Sequence, residues 1–251
     1  MRSASDRKST VAADCREDKS LTSRGLRLLG RPANANAMGL SSAAKAGVAV
    51  FVGSVQFGIC LILSEIIYST SGPLGTSGSG NTTGYIYSVA NNYVSDLGAN
   101  CRTACTSVPS GYLFDSSIAL FGVLVIVGAY FLQKAYQWRP ATMMVALAGV
   151  GALGVGLFPE TTGIWHDIFS LIVFLFAGLS ALVTARFQMK PMFYFSILLG
   201  LGTLVALVLY IGGAYLGLGP GGMERMVVYP ALLWAVAFGG HLMALDDKAQ
   251  H

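Results

Sequence analysis

Residues 168–185 read IFSLIVFLFAGLSALVTA, eighteen consecutive positions without an Asp, Glu, Lys, Arg or His. A helix needs about 20 predominantly apolar residues to cross the bilayer core, so this run, with its immediate neighbours, is long enough to span. It is too long and too continuous for the alternating ten-residue strands of a membrane barrel. Lipid satisfies no backbone hydrogen bonds, which leaves the helix as the spanning structure here. Working outward, five more runs of the same kind place helices near 44–68, 113–134, 141–158, 164–187, 192–217 and 225–245. The predicted fold is all-α, a polytopic membrane bundle of six helices.

Whole-chain composition agrees. Only 11% of the 251 residues are charged and 54% are hydrophobic, against about 25% charged in soluble domains. So few charges cannot coat a soluble globule of this size. Disorder throughout, collagen, a coiled coil and a disulfide-stapled mini-domain are excluded. The net charge of +4 has one origin: residues 1–37 hold eight Lys/Arg and four Asp/Glu, and the remaining chain holds eight of each. No nucleic-acid footprint is expected outside the tail.

Residues 1–37 are polar and aperiodic, and they read as a disordered basic tail. They lack the apolar core of a secretory signal, and their four acids argue against a transit peptide. Met38 begins a segment, Met38-Gly39-Leu40-Ser41, that resembles an ordinary membrane-protein start. Two readings stand: Met38 is the true initiator, or the tail is a mobile cytoplasmic extension. Residues 38–251 form the transmembrane domain in either case.

Charge asymmetry predicts the orientation. With the N-terminus in the cytoplasm, Lys45, Lys134, Arg139, Arg186, Lys190 and Lys248 lie inside, and only Arg102 and Arg225 lie outside. This positive-inside bias puts both termini in the cytoplasm and the protein in the cell membrane as a multi-pass protein. Tyr136 and Trp138 fall at the inner interface and Trp165 at the outer one. Pro140 and Pro191 open the third and fifth helices, where a missing N–H costs little. Pro230 falls inside the sixth, where a kink or a loosened turn is expected.

Small residues repeat every four positions at Ala148, Ala152 and Gly156, at Ala177, Ala181 and Ala185, and at Ala231, Ala235 and Gly239. Such stripes let helices approach closely in lipid. They predict that helices three, four and six form the tight part of the bundle, and they offer a route to an oligomer. The first outside loop, roughly 69–112, begins Ser/Gly/Thr-rich, and its part from Tyr85 to Gly98 is more structured, with aromatics able to rest on the interface. It carries the sequon Asn81-Thr82-Thr83 and the pair Cys101 and Cys105, for which a local disulfide is plausible in an oxidising exterior. Cys60 lies within the first helix, where a small apolar thiol needs no function.

The remaining acids are placed unevenly. Glu65, Asp96, Asp115, Glu160, Asp167 and Glu224 fall at or near the outer ends of helices, together with His166 and Arg225. The helix middles are almost free of charge, which counts against a proton-coupled pump, since such pathways need ionisable groups at mid-depth. Function is therefore expected at the outer surface. The bland alternative is that these acids are solvated loop residues, and that Asp167 merely complements the dipole of the fourth helix. Glu160, His166 and Asp167 are the most constrained, because Phe158–Asp167 is too short a connection to wander. His166 suits a general base, a proton donor, a metal ligand or a hydrogen-bonded structural group. No His-x-x-x-His or Cys-x-x-Cys pairing supports a metal, and no Gly-x-Ser-x-Gly, P-loop or dinucleotide fingerprint is present, so no cofactor is expected. Arg225 is expected to pair with Asp96 or Glu160, or to hold a lipid phosphate.

The pieces Val94-Ser95-Asp96-Leu97-Gly98, Leu113-Phe114-Asp115, Gly154-Val155-Gly156-Leu157-Phe158-Pro159, His166, Glu224-Arg225 and Trp234 occur in that order. Together, over about residues 44–245, they resemble an uncharacterised family of archaeal and bacterial six-helix membrane proteins, domain of unknown function 998. That family is distantly similar to the DRAM-like and Frag-like eukaryotic membrane proteins, some linked to lipid handling, a likeness of fold that implies little about chemistry. The resemblance implies no activity. It matches recurrent polar positions to Asp96, His166, Glu224 and Arg225.

Three functional readings follow. The leading one is a lipid-associated membrane protein whose outer-face polar pocket, built from Asp96, Glu160, His166, Asp167, Glu224 and Arg225, binds a lipid headgroup or a small polar solute. The second is an enzyme acting on lipid at the outer leaflet, with His166 as acid/base and Asp96 or Glu160 as the orienting carboxylate. The third is a membrane scaffold with no small-molecule site.

Overall fold

The computed structural model describes residues 40–71, 87–100 and 106–250. The tail, the sequon and the pair Cys101 and Cys105 lie outside the described residues. Six helices long and apolar enough to cross a membrane carry the fold: α1 Ser42–Ser71, α2 Gly111–Tyr136, α3 Arg139–Leu157, α4 Ile164–Ala185, α5 Met192–Ile211 and α6 Gly219–Gln250. The only strands among the described residues are β1 Ala99–Asn100 and β2 Thr106–Ser107, a two-residue antiparallel ladder pairing Ala99 with Ser107.

Local chemistry sets the helix ends. Ser41 caps α1, its Oγ accepting the Ala44 N–H at 3.1 Å, as short oxygen-bearing side chains do at N-caps. Gln137 ends α2 in the left-handed region, and its N–H returns to the Gln133 carbonyl at 2.9 Å. Pro140 stands in the first turn of α3. Pro230 lies inside α6, which continues as helix on both sides of it.

The last two helices differ from expectation. α5 stops at Ile211, not near 217, and α6 starts at Gly219, not near 225. Ala214, Tyr215 and Leu216 extend the apolar run past the helix, but Gly213, Leu216 and Gly217 adopt positive φ and turn the chain. The glycine-rich start of α6 reads as loop. It is ordered from outside the helix, because the Ala90 carbonyl accepts the N–H groups of Gly221 (2.9 Å) and Gly222 (3.3 Å). This supplies two of the backbone donors that a helix start leaves without partners.

Each helix packs on its neighbours in sequence, and α6 closes back on α1, giving an up-and-down ring of six. The small-residue stripes therefore serve separate seams and do not gather helices three, four and six into one knot. A Cβ on Gly156 would meet the Asp115 carbonyl oxygen of α2 at 2.5 Å, one on Gly200 of α5 would meet the Ala181 Cβ of α4 at 2.9 Å, and one on Gly239 would meet the Phe51 backbone nitrogen of α1 at 2.7 Å. Ala152, Ala181, Ala185 and Ala235 are buried within the chain, so the stripes serve contacts between its own helices.

The ring has two chemically different ends. Lys45, Lys134, Arg186 and Lys190 mark one, each cation lying over an aromatic ring, as Arg186 does over Trp138 at 4.7 Å. At the other end, residues 87–100 and 106–110 fold back over the ring. Val94, Leu97 and Val108 are buried there against Tyr68, Phe114 and Ile118. Tyr87 of this segment stacks obliquely on Tyr68 at 5.2 Å, and Tyr93 meets Tyr210 edge-on at 6.1 Å.

Candidate functional site

Arg225 sits two turns into α6 and is 3% exposed. Its Nη2 forms an ion pair of 2.8 Å with Glu65 Oε1 of α1 and donates to the Tyr87 hydroxyl. Its Nη1 donates to the carbonyls of Val89 (3.0 Å), Asn92 (2.8 Å) and Gly221 (3.0 Å). Tyr87 in turn donates to Glu65 Oε1 at 2.8 Å. The expected pairing of Arg225 with Asp96 or Glu160 is therefore incorrect. The ring closure brings α1 beside α6, and that adjacency selects Glu65. Arg225 is a clamp that ties the 87–98 segment to two helices. Burial, chiefly, pushes the Tyr87 phenol well above its usual range. Arg225 opposes that shift, and the hydrogen bond to Glu65 adds to it.

Asp96 is fully buried inside the same segment. Its Oδ2 accepts from Asn92 Nδ2 at 2.8 Å and from the Tyr93 N–H at 3.0 Å. It holds the turn Ser95–Leu97 in place. Glu224, the neighbour of Arg225, faces another way. Its Oε2 accepts the Val94 N–H at 2.5 Å, and the side chain borders a cleft.

That cleft, about 440 Å³, opens between the ends of α4 and α5 and has α6 and the 87–98 segment as its back wall. Glu160, His166, Asp167 and Glu224 all line it. Ser95, from the Val94–Gly98 piece, adds a hydroxyl, and so do Tyr93, Ser170 and Tyr210, which the sequence did not single out because each sits in an otherwise ordinary loop or apolar helix. Leu171 and Ile211, both exposed, form its lateral rim, so it opens sideways along the helix surface. Asp96 and Arg225 do not line it; they hold its back wall.

His166 enters the cleft from the first turn of α4. The connection before it is short and shaped by Gly163, whose φ of 62° lets a turn Glu160–Thr162 feed directly into the helix. His166 is buried, and its Nδ1 lies 2.9 Å from the Phe158 carbonyl oxygen. A carbonyl can only accept, so Nδ1 carries a proton and donates it to Phe158. Nε2 has no hydrogen-bond partner among the described residues. The group orienting His166 is thus a backbone carbonyl and not the carboxylate of Asp96 or Glu160.

The cleft is acidic. Three carboxylates and no Lys or Arg line it. Among the described residues no group of three or more His, Cys, Asp or Glu is placed to hold a metal ion. At the opposite half of the ring a separate polar chain runs from Trp234 Nε1 to Ser196 Oγ (3.1 Å), on to Gln188, and from the Gln188 amide to Thr184 Oγ1 (3.2 Å). It satisfies buried groups where three helices meet, as lipid-embedded polar residues must.

The family piece Val94–Gly98 meets the other pieces in space. A Cβ on Gly98 would strike Asp115 Oδ1 at 2.5 Å, and one on Gly156 the Asp115 carbonyl oxygen at the same distance. Three motif fragments far apart in sequence thus form one close-packed knot. The sequence model described as protein of unknown function DUF998 matches residues 81–241. The chain belongs to the DUF998 family. The match begins after α1, so it is narrower than the 44–245 read from the motif pieces, and it holds every lining residue of the cleft. Compared with the curated proteins and with the solved structures, the chain has no match in either.

Proposed function

We propose that this DUF998 protein binds a lipid headgroup or a small polar solute in the cleft between α4 and α5. Glu160, His166, Asp167 and Glu224 contact the ligand, and Asp96 and Arg225 hold the wall behind them. The single observation that carries this reading is the convergence of those four ionisable side chains on one concave, laterally open site of about 440 Å³. A scaffold reading predicts the same side chains splayed into water. Concave sites with a few convergent polar groups are where ligands bind. The positive-inside bias of the loops orients the cleft toward the cell exterior, with both termini in the cytoplasm.

Binding fits these residues better than turnover. Asp96 is engaged by Asn92 and Tyr93, and a carbonyl orients His166. A carbonyl fixes the tautomer but stabilises an imidazolium less than a carboxylate does. The test is lipid and metabolite mass spectrometry on the full chain extracted with its native membrane patch. The wild type is expected to carry a defined species that His166→Ala and Glu224→Gln lose. A composition indistinguishable from bulk membrane in all three would refute the reading.

A further inference from the structure

The cleft and the interior beyond it differ in what they can hold. An interior cavity shares Ser95, His166, Ser170, Phe174 and Glu224 with the cleft, but it is only about 90 Å³ and its other walls are apolar apart from Ser180 and the Trp234 indole. That is the space of about three waters at about 30 Å³ each, too little for a lipid chain. The cleft, at about 440 Å³, falls among small-molecule sites, which run from about 300 to 1,000 Å³. A ligand therefore seats in the cleft itself. Any chain it carries leaves by the lateral rim, at the exposed Leu171 and Ile211.

Resting on the binding reading of that cleft, we infer that the ligand is an uncharged polyhydroxyl ring, a hexose or a close relative, either free or carried as the headgroup of a glycolipid. The hydrogen-bonding inventory of the walls specifies it. Ser170 and Tyr210 bring hydroxyls that bond to no other described residue. Helical serines elsewhere turn back on their own helix: Ser54 donates to the Val50 carbonyl at 2.7 Å, Ser116 to that of Tyr112 at 2.6 Å and Ser180 to that of Phe176 at 2.6 Å. Ser170 does not, so its proton is left for the cleft. Asp167 and Glu224 bring carboxyl oxygens, which accept. The walls thus call for acceptors and donors together.

A phosphate or carboxylate head only accepts, and among the described residues no Lys or Arg lines the cleft to receive it. Arg225 is engaged by Glu65 and by the carbonyls of Val89, Asn92 and Gly221. Such a head would meet like charge from Asp167 and Glu224. An ammonium head only donates, and it leaves Ser170 and Tyr210 nothing to donate to; a quaternary ammonium does neither. Adjacent hydroxyls on one ring do both. Tyr93 and Tyr210 add aromatic surface. They meet edge-on at 6.1 Å and so do not stack flat on one another. The C–H face of a pyranose, weakly positive, packs against the negative face of such a ring.

The test places the full chain in phosphatidylcholine nanodiscs, free of sugar-headed detergent, doped with equal fractions of glucosyl and galactosyl diacylglycerol, phosphatidylethanolamine and phosphatidylglycerol. Native mass spectrometry counts the lipids retained. Saturation-transfer NMR reads binding of the free counterparts glucose, galactose, ethanolamine and glycerol phosphate. The sugar probes are expected to be favoured about tenfold over the amine and phosphate probes, the scale of two neutral hydrogen bonds. A preference confined to the glycolipids assigns the headgroup as the source, and one confined to the free sugars assigns a soluble solute. Ser170→Ala and Tyr210→Phe should each cut the preference several-fold without moving the melting temperature, since neither hydroxyl bonds within the protein. Equal or better retention of the amine or phosphate probes, or a preference that survives both substitutions, overturns the polyhydroxyl ligand and leaves a headgroup site standing. No probe held above background also overturns the inference, and the lipid and metabolite profile of the native patch then decides separately whether the cleft binds anything.

Discussion

Arg225 Nη2 and Glu65 Oε1 are 160 positions apart in the chain and 2.8 Å apart in space. The pair fastens the last helix to the first and draws the 87–98 segment down onto both through Tyr87, Val89 and Asn92. The candidate binding site is built on that fastening, because Glu224 follows from the same turn of α6 and Ser95 from the same segment.

Removing the guanidinium leaves Glu65 and three carbonyls without their donor. Arg225→Met is expected to cost about 3–5 kcal/mol, the range for breaking a buried pair from one side. Arg225→Lys should fail to restore it, since an ammonium cannot reproduce a planar fork spread over five acceptors. Thermal unfolding of the purified chain in nonionic detergent checks both variants; recovery by lysine would show that charge alone matters.

Tyr87 gives the clamp a pH limit. Its phenol is held neutral by burial, so its folded-state pKa lies above the unfolded value. Its contribution is present in full below about pH 10, the usual phenol value. It is lost as pH rises above that value, because the unfolded chain ionises first. The slope from this group is at most about 1.4 kcal/mol per pH unit. Melting temperatures of wild type and Tyr87→Phe, followed from pH ~8 to ~11, should diverge below the limit and converge above it. A constant offset across the series would contradict the assignment.

His166 holds two jobs on two ring nitrogens. Asparagine carries a donor near the Nδ1 position, and glutamine carries one near Nε2. His166→Asn is therefore expected to keep the Phe158 contact and the melting temperature while losing ligand. His166→Gln should lose stability first. Paired melting and binding measurements separate the two. Equal effects in both variants would mean the ring acts only by filling space.

The α1–α6 seam depends on Gly239, where a Cβ would meet the Phe51 backbone nitrogen at 2.7 Å and the Gly47 carbonyl oxygen at 2.8 Å. Both are backbone atoms and cannot swing aside. Gly239→Ala is expected to cost about 1–3 kcal/mol by forcing the helices apart. Gly240→Ala, where nothing lies within 4 Å, should be neutral or slightly stabilising through helix propensity. Equal melting temperatures for the two variants would remove the close seam.

The six spans were legible because lipid leaves uncharged runs one solution, and the two ends were legible because the sign of charge alternates from loop to loop. Glu160, His166 and Asp167 stood out because a short connection pins them. The partner of Arg225 was not legible: no local period relates α1 to α6, and only ring closure makes Glu65 its neighbour. The start of α6 at Gly219 was hidden for a related reason, since Gly-Pro-Gly-Gly is poor helix sequence and is ordered by the Ala90 carbonyl. Tyr93, Ser170 and Tyr210 escaped notice because a hydroxyl on an apolar helix or in a loop carries no signal until a cavity forms beside it.

The most direct measurement is lipid and metabolite mass spectrometry of the full chain extracted with its native membrane patch, set beside the His166→Ala and Glu224→Gln variants. The account predicts a defined species that the wild type carries and both variants lose, because both side chains line the cleft. A composition indistinguishable from bulk membrane in all three would contradict it.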